Sequence, residues 1–151
     1  SERRINQMMD PQWSGQNAFL ANIEGLESGL MIIQYVAAAL IAELHLLSSP
    51  VSRSNVPVSL GKEDHVSMGA TSTYRTLRSS ELLAQVIANE LVCSSEALRR
   101  TELDAGRGVR KVTEWVGSIV PPLTSDRAMS DECMGVATGL LSGGLSQAMG
   151  D

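Results

Sequence analysis

The run from Leu30 to Ala42 constrains the fold most: thirteen residues in which Gln34 is the one strongly polar side chain. It is too short to span a bilayer, which takes about 20 apolar residues, so it predicts a helix buried within protein. With Leu44, Leu46 and Leu47 the pattern extends to a helix over about 29–48 that has no polar face, and Ala37, Ala38 and Ala39 let neighbouring helices approach closely. A helix apolar all round has to be covered on every side, and a chain of 151 residues with so few helices does not do that alone. An oligomer, or a larger protein of which this is a part, is expected.

The next long signal runs from Glu63 to Leu103, with no proline and only Gly69. Val66, Ala70, Tyr74, Leu77, Leu83, Ile87, Leu91 and Leu98 fall close to a helical stripe, which predicts a helix of up to about 40 residues and about 60 Å. Such a helix fits the spine of a bundle. Aromatic residues make up only 3 % of the chain, so the core must come from aliphatic residues, alanine and seven methionines. That favours close helix packing, and the fold class expected is all-α, a long helical bundle, with residues 1–151 as one helical domain.

Shorter elements surround these two. Ile5, Met8 and Met9 share one face of an opening helix that Asp10-Pro11 ends, since the residue before proline avoids helical dihedrals. Residues 10–28 read as a loop and so do 49–61. A turn at 104–108 leads into a helix over 109–119 that Pro121-Pro122 stops. Ser130 is expected to cap a last helix, with Asp131 and Glu132 in its first turn and an end near Gly143-Gly144; the tail beyond is expected to fray.

Net charge is −5, with both signs mixed along the chain, so no footprint for nucleic acid or an anionic membrane is present. Cys93 and Cys133 form no C-x-x-C pair, and two reduced thiols in a cytoplasmic protein are expected. The start at Ser1 is polar and not followed by an apolar run, so no secretory segment is expected.

The corner from Val58 to Gly69 holds most of the candidate chemistry. Glu63 and Asp64 are expected in the first turn of the long helix, where exposed N–H groups favour carboxylates. They are either dipole partners of that helix or catalytic groups. Side chains of Glu63, Asp64 and His65 on adjacent helical positions would diverge by about 100° each, so no metal site is expected. Glu27 and Glu43 lie beside an apolar helix and each needs a partner or a polar cavity, because an unpaired buried charge costs several kcal/mol. The chain has no G-x-S-x-G, P-loop or G-x-G-x-x-G.

Taken in order, Ser1-Glu2-Arg3-Arg4-Ile5, Gly25-Leu26-Glu27-Ser28-Gly29-Leu30-Met31-Ile32-Ile33-Gln34, and Pro57-Val58-Ser59 leading to Glu63-Asp64-His65-Val66-Ser67-Met68-Gly69 resemble the C-terminal third of the histidine ammonia-lyase family. Val120-Pro121-Pro122-Leu123 and Asp126-Arg127 with Ser130 resemble its C-terminal end. The resemblance implies an all-helical homotetramer whose active sites are each assembled from several subunits. It implies an elimination in which ammonia leaves an aromatic amino acid, histidine favoured, to give an α,β-unsaturated acid. The family's methylidene-imidazolone group is made from an internal Ala-Ser-Gly, which this sequence does not contain. That group, a catalytic tyrosine and a carboxylate-binding arginine would come from an upstream portion or a companion chain, and the chain is expected to be a truncated, proteolysed or split piece, inactive alone.

By the same resemblance Glu63 matches the active-site glutamate, Met31 a position lining the side-chain pocket, and Glu27 a neighbour that is usually Asn in histidine lyases and often Lys in phenylalanine lyases. Lys62 stands where Gln is usual, and a Lys62–Glu27 ion pair across the pocket mouth is one expectation. An aromatic amino acid 2,3-aminomutase is the second function expected. A helical association module without catalysis is the third.

Overall fold

The computed structural model describes residues 1–150, and every described regular element is helical. The helices are α1 (Glu2–Met9), α2 (Pro11–Ser14), α3 (Met31–Leu47), α4 (Gly69–Arg99), α5 (Arg107–Gly117), α6 (Ser130–Leu141) and α7 (Gly144–Met149), with 3₁₀ turns at Ala18–Leu20 and Val51–Ser54. The all-α expectation holds.

α4 is the spine. Its 31 residues span about 46 Å at 1.5 Å per residue. Two buried stripes run down its second half, Leu82, Val86, Asn89, Cys93 and Glu96 on one and Ala84, Ala88, Val92 and Ser95 on the other. Steps of three and four residues keep each stripe on one side of the helix, and two adjacent stripes let α4 be covered by several partners at once. α6, α3, α1 and α5 pack against it. The core gathers where they meet, with Ile5, Leu30, Val116 and Val136 each at 1 % exposure or less. The first half of α4, from Gly69 to Glu81, buries no residue.

α3 lies within two residues of its expected bounds, yet only Ile33 and Ala37 of its apolar surface are buried. Ile32, Tyr35, Val36 and Leu46 remain exposed. This chain by itself leaves that helix half covered.

Four expectations change. The long helix begins at Gly69 and not at Glu63, because residues 58–63 form a hairpin corner instead of a helical turn. The loop expected at 10–28 contains α2, with Pro11 at its first position and the Asp10 carboxylate accepting from the Gln12 N–H at 2.9 Å. Ser130 is the first residue of α6 and not its cap; Met129 precedes it, and Asp131 and Glu132 do occupy the first turn. The tail folds into α7, where the Lys111 ammonium donates to the Met149 carbonyl at 2.6 Å.

Candidate active site

Residues 58–63 turn on Ser59 and Leu60, both left-handed at φ 54°, followed by Gly61 at φ 78°. The Val58 N–H donates to the Glu63 carbonyl at 2.9 Å and the Glu63 N–H returns a bond to Val58 at 3.3 Å. Within this four-residue loop the turn from Val58 to Gly61 has positive φ at both central residues, a conformation that ordinarily takes Asn-Gly, so Ser-Leu stores about 1–3 kcal/mol per strained residue. Beyond it Asn55 holds the chain extended: its Oδ1 accepts the Val66 N–H at 3.1 Å, and its Nδ2 donates to the Val66 carbonyl. These bonds replace the helical turn expected at Glu63, and they come from a residue eight positions upstream that local helix preference does not register.

Lys62, Glu63, Asp64 and His65 are all exposed on this corner. Among the described residues none of their side chains has a hydrogen-bond or ion-pair partner. Glu63 is therefore a free carboxylate on a backbone that is held firmly. Among the described residues no group of three His, Cys, Asp or Glu side chains could hold a metal.

The other sequence-predicted residues stand at the approach to α3. Met31 is its first residue and half-buried, and Glu27 is half-buried in the preceding loop. Glu27 Oε2 accepts the N–H groups of Asn22 at 2.9 Å and Ile23 at 3.2 Å, so one of its oxygens closes that loop on itself. Among the described residues the expected Lys62–Glu27 ion pair is not formed; Glu27 Oε2 accepts from backbone donors instead. Glu43 finds its partner at the surface, with Arg78 at 2.9 Å.

Sequence reasoning missed what holds this loop. Gly29 is left-handed at φ 55°, and the N–H groups of Ser28 and Gly29 both donate to the Asp126 carboxylate, at 2.7 and 2.9 Å. The Leu30 N–H donates to the Phe19 carbonyl at 2.8 Å. Buried Glu96 binds Arg99 and Arg100, and Arg100 reaches the Asn22 side chain at 2.9 Å. No sequence signal pairs Asp126 with residues nearly a hundred positions away.

A groove of about 660 Å³ adjoins this loop between α3, α4 and α6; its walls include Ser28, Gly29 and Asp126 as well as Ile32, Val36, Leu40, Asn89 and Cys133. None of Glu27, Met31, Lys62 and Glu63 lines it. Buried Asn89 keeps an Nδ2 without a partner there.

A family model described as aromatic amino acid lyase matches residues 1–118. The chain belongs to the aromatic amino acid lyase family. Histidine ammonia-lyase of Deinococcus radiodurans is 41 % identical to this chain over 145 residues, 96 % of the chain and 28 % of that protein. Histidine ammonia-lyase of Stigmatella aurantiaca is 38 % identical over 150 residues, 99 % of the chain and 29 % of that protein. Among solved structures, histidine ammonia-lyase from Trypanosoma cruzi superimposes with a TM-score of 0.92 at 33 % identity, covering 98 % of this chain and 29 % of that one. A tyrosine aminomutase from Streptomyces globisporus gives the same TM-score at 32 % identity and the same coverage. The chain thus spans less than a third of the length of the curated relatives it matches.

Proposed function

We propose that this chain forms one wall of the active site of an aromatic amino acid ammonia-lyase, with histidine as the favoured substrate. The observation that carries the reading is the likeness to histidine ammonia-lyases over almost the whole chain, at 41 % identity in one case. In the elimination the Cα–N bond breaks, a proton leaves Cβ, the electrons of that C–H bond become the new double bond, and ammonia departs.

The methylidene-imidazolone group, brought from outside these residues, would supply the electrophile that makes the departure feasible. No Ala-Ser-Gly is present here to form it. The unpaired carboxylate on the rigid corner fits a wall that such a group and its neighbours complete. Glu63 is the catalytic residue of this wall, contacting the substrate's ring or ammonium and tuning its charge. Met31 lines the pocket for the substrate side chain. Glu27 stands beside that pocket with one oxygen bound to its own loop, and Lys62 adds a cation at the mouth.

The partners are the aromatic amino acid, the polypeptide carrying the electrophile, and further copies in a homo-oligomer, for which the exposed apolar face of α3 supplies the surface. Among the described residues no helix is long and apolar enough to cross a membrane. The free thiols of Cys93 and Cys133 fit the cytoplasm.

The test joins this chain to the upstream remainder of the Deinococcus radiodurans enzyme and follows the unsaturated acid by ultraviolet absorbance. Histidine is expected to be turned over, and Glu63→Gln to lower kcat by about a hundredfold. No turnover at all, or an unchanged kcat in the variant, would overturn the reading. The likeness to a tyrosine aminomutase keeps a second reaction in view. A β-amino acid as the end product would establish it.

A further inference from the structure

We infer that Asp126 is a positioning residue for the substrate-side loop, a role that rests on the placement of Glu27 and Met31 in the pocket proposed above. α3 has no acidic residue in its first turn and no side-chain cap of its own. The three N–H groups that lead into it, those of Ser28, Gly29 and Leu30, are nevertheless all satisfied. Asp126 Oδ2 takes the first at 2.7 Å, Asp126 Oδ1 the second at 2.9 Å, and the Phe19 carbonyl the third at 2.8 Å. A carboxylate from the strap over 121–129 thus pins the two residues that precede the N-cap Leu30, and it adds negative charge near the positive end of the helix.

The strap is itself held at both sides of Asp126. Arg127 donates to the Pro121 carbonyl at 2.8 Å and to the Glu132 carboxylate at 3.2 Å. The Leu123 N–H donates to buried Glu96 at 3.3 Å, and the Leu123 carbonyl accepts from the Asn22 side chain at 3.0 Å. Asp126 is therefore a fixed point against which the loop is set. Charge-assisted bonds to two successive N–H groups define both the position and the orientation of that backbone. Glu27 directly precedes the bonded pair and Met31 follows it by two residues. A shift of Ser28-Gly29 moves both, while Glu63 sits on a separate corner with its own hydrogen bonds.

The experiment uses the joined, active protein. Asp126→Ala is expected to raise the KM for histidine about tenfold with kcat within about twofold, and to change the preference for histidine over tyrosine. Asp126→Asn keeps an acceptor oxygen for one N–H and is expected to recover part of that KM. Hydrogen exchange at the Ser28 and Gly29 amides is expected to quicken in both variants. Unchanged exchange, or an equal loss for both substrates that falls on kcat alone, overturns the positioning role. Glu63→Gln in the same background separates the two failures. If it cripples kcat while the Asp126 variants are silent, only this inference falls; if it is itself silent, the active-site reading falls and takes this inference with it.

Discussion

Gly29 has no room for a side chain. A Cβ there would stand 2.4 Å from the Phe19 carbonyl oxygen and 2.8 Å from the Ala21 nitrogen, both backbone atoms that cannot swing aside. Its φ of 55° adds a left-handed penalty for any other residue. Gly29→Ala is expected to cost at least about 2 kcal/mol, measured as a lower urea midpoint. The two thiols make a different residue-scale case. Burial pushes the Cys93 thiol far above its usual range, helped by Cys133, and burial together with Glu132 raises Cys133 to about 11. Since the thiolate is the nucleophile, iodoacetamide at about pH 8 is expected to label Cys133 slowly and Cys93 only after unfolding, as read by mass spectrometry.

Between elements, small residues decide how closely helices meet. A Cβ on Gly139 of α6 would lie 2.7 Å from Trp115 Cζ2 of α5, so glycine is what admits the indole. Alanine recovers about 1 kcal/mol of helix propensity against the clash, whereas valine recovers less and clashes more. Gly139→Val is expected to lose about 2–3 kcal/mol in chemical denaturation. The α1–α4 contact is electrostatic at its edge. Burial alone lifts the Glu90 carboxyl, but the hydrogen bonds and charge of Arg4, helped by Ser1 close by, outweigh it and hold the group below its ordinary value of 4.5. A carboxyl depressed in the folded state stabilises above its unfolded pKa and loses that contribution as pH falls through the folded one. The stability gap between the protein and Glu90→Gln is therefore expected to be full at neutral pH and to close below about pH 4 in thermal melts.

Across the whole molecule, what could be read from the sequence was whatever repeats locally. α3, α4, α5 and α6 follow their apolar periodicities to within a few residues at most ends, and α1 ends at Asp10 where proline requires it. The start of α4 was misjudged because Glu63-Asp64 has the composition of a helical first turn, while Asn55 and the Ser59-Leu60 turn hold it otherwise. Asp126 stayed invisible because it acts 97 and 98 positions away. The one long-range property that was legible is the uncovered surface of α3, since an all-round apolar helix states its need for cover whatever the topology. Ile32 and Val36, one turn apart, are 60 % and 45 % exposed and share the groove with Leu40. Leaving such a stripe in water costs about 1.5–3 kcal/mol for each large side chain, which association recovers. The chain is accordingly expected to self-associate in a concentration-dependent way in sedimentation equilibrium. Ile32→Asp with Val36→Asp is expected to weaken that association at least about a hundredfold, because each change removes an apolar contact and forces a charge toward the interface. A well-folded wild-type chain that stays monomeric at every concentration would remove both the homo-oligomer and the association-module readings.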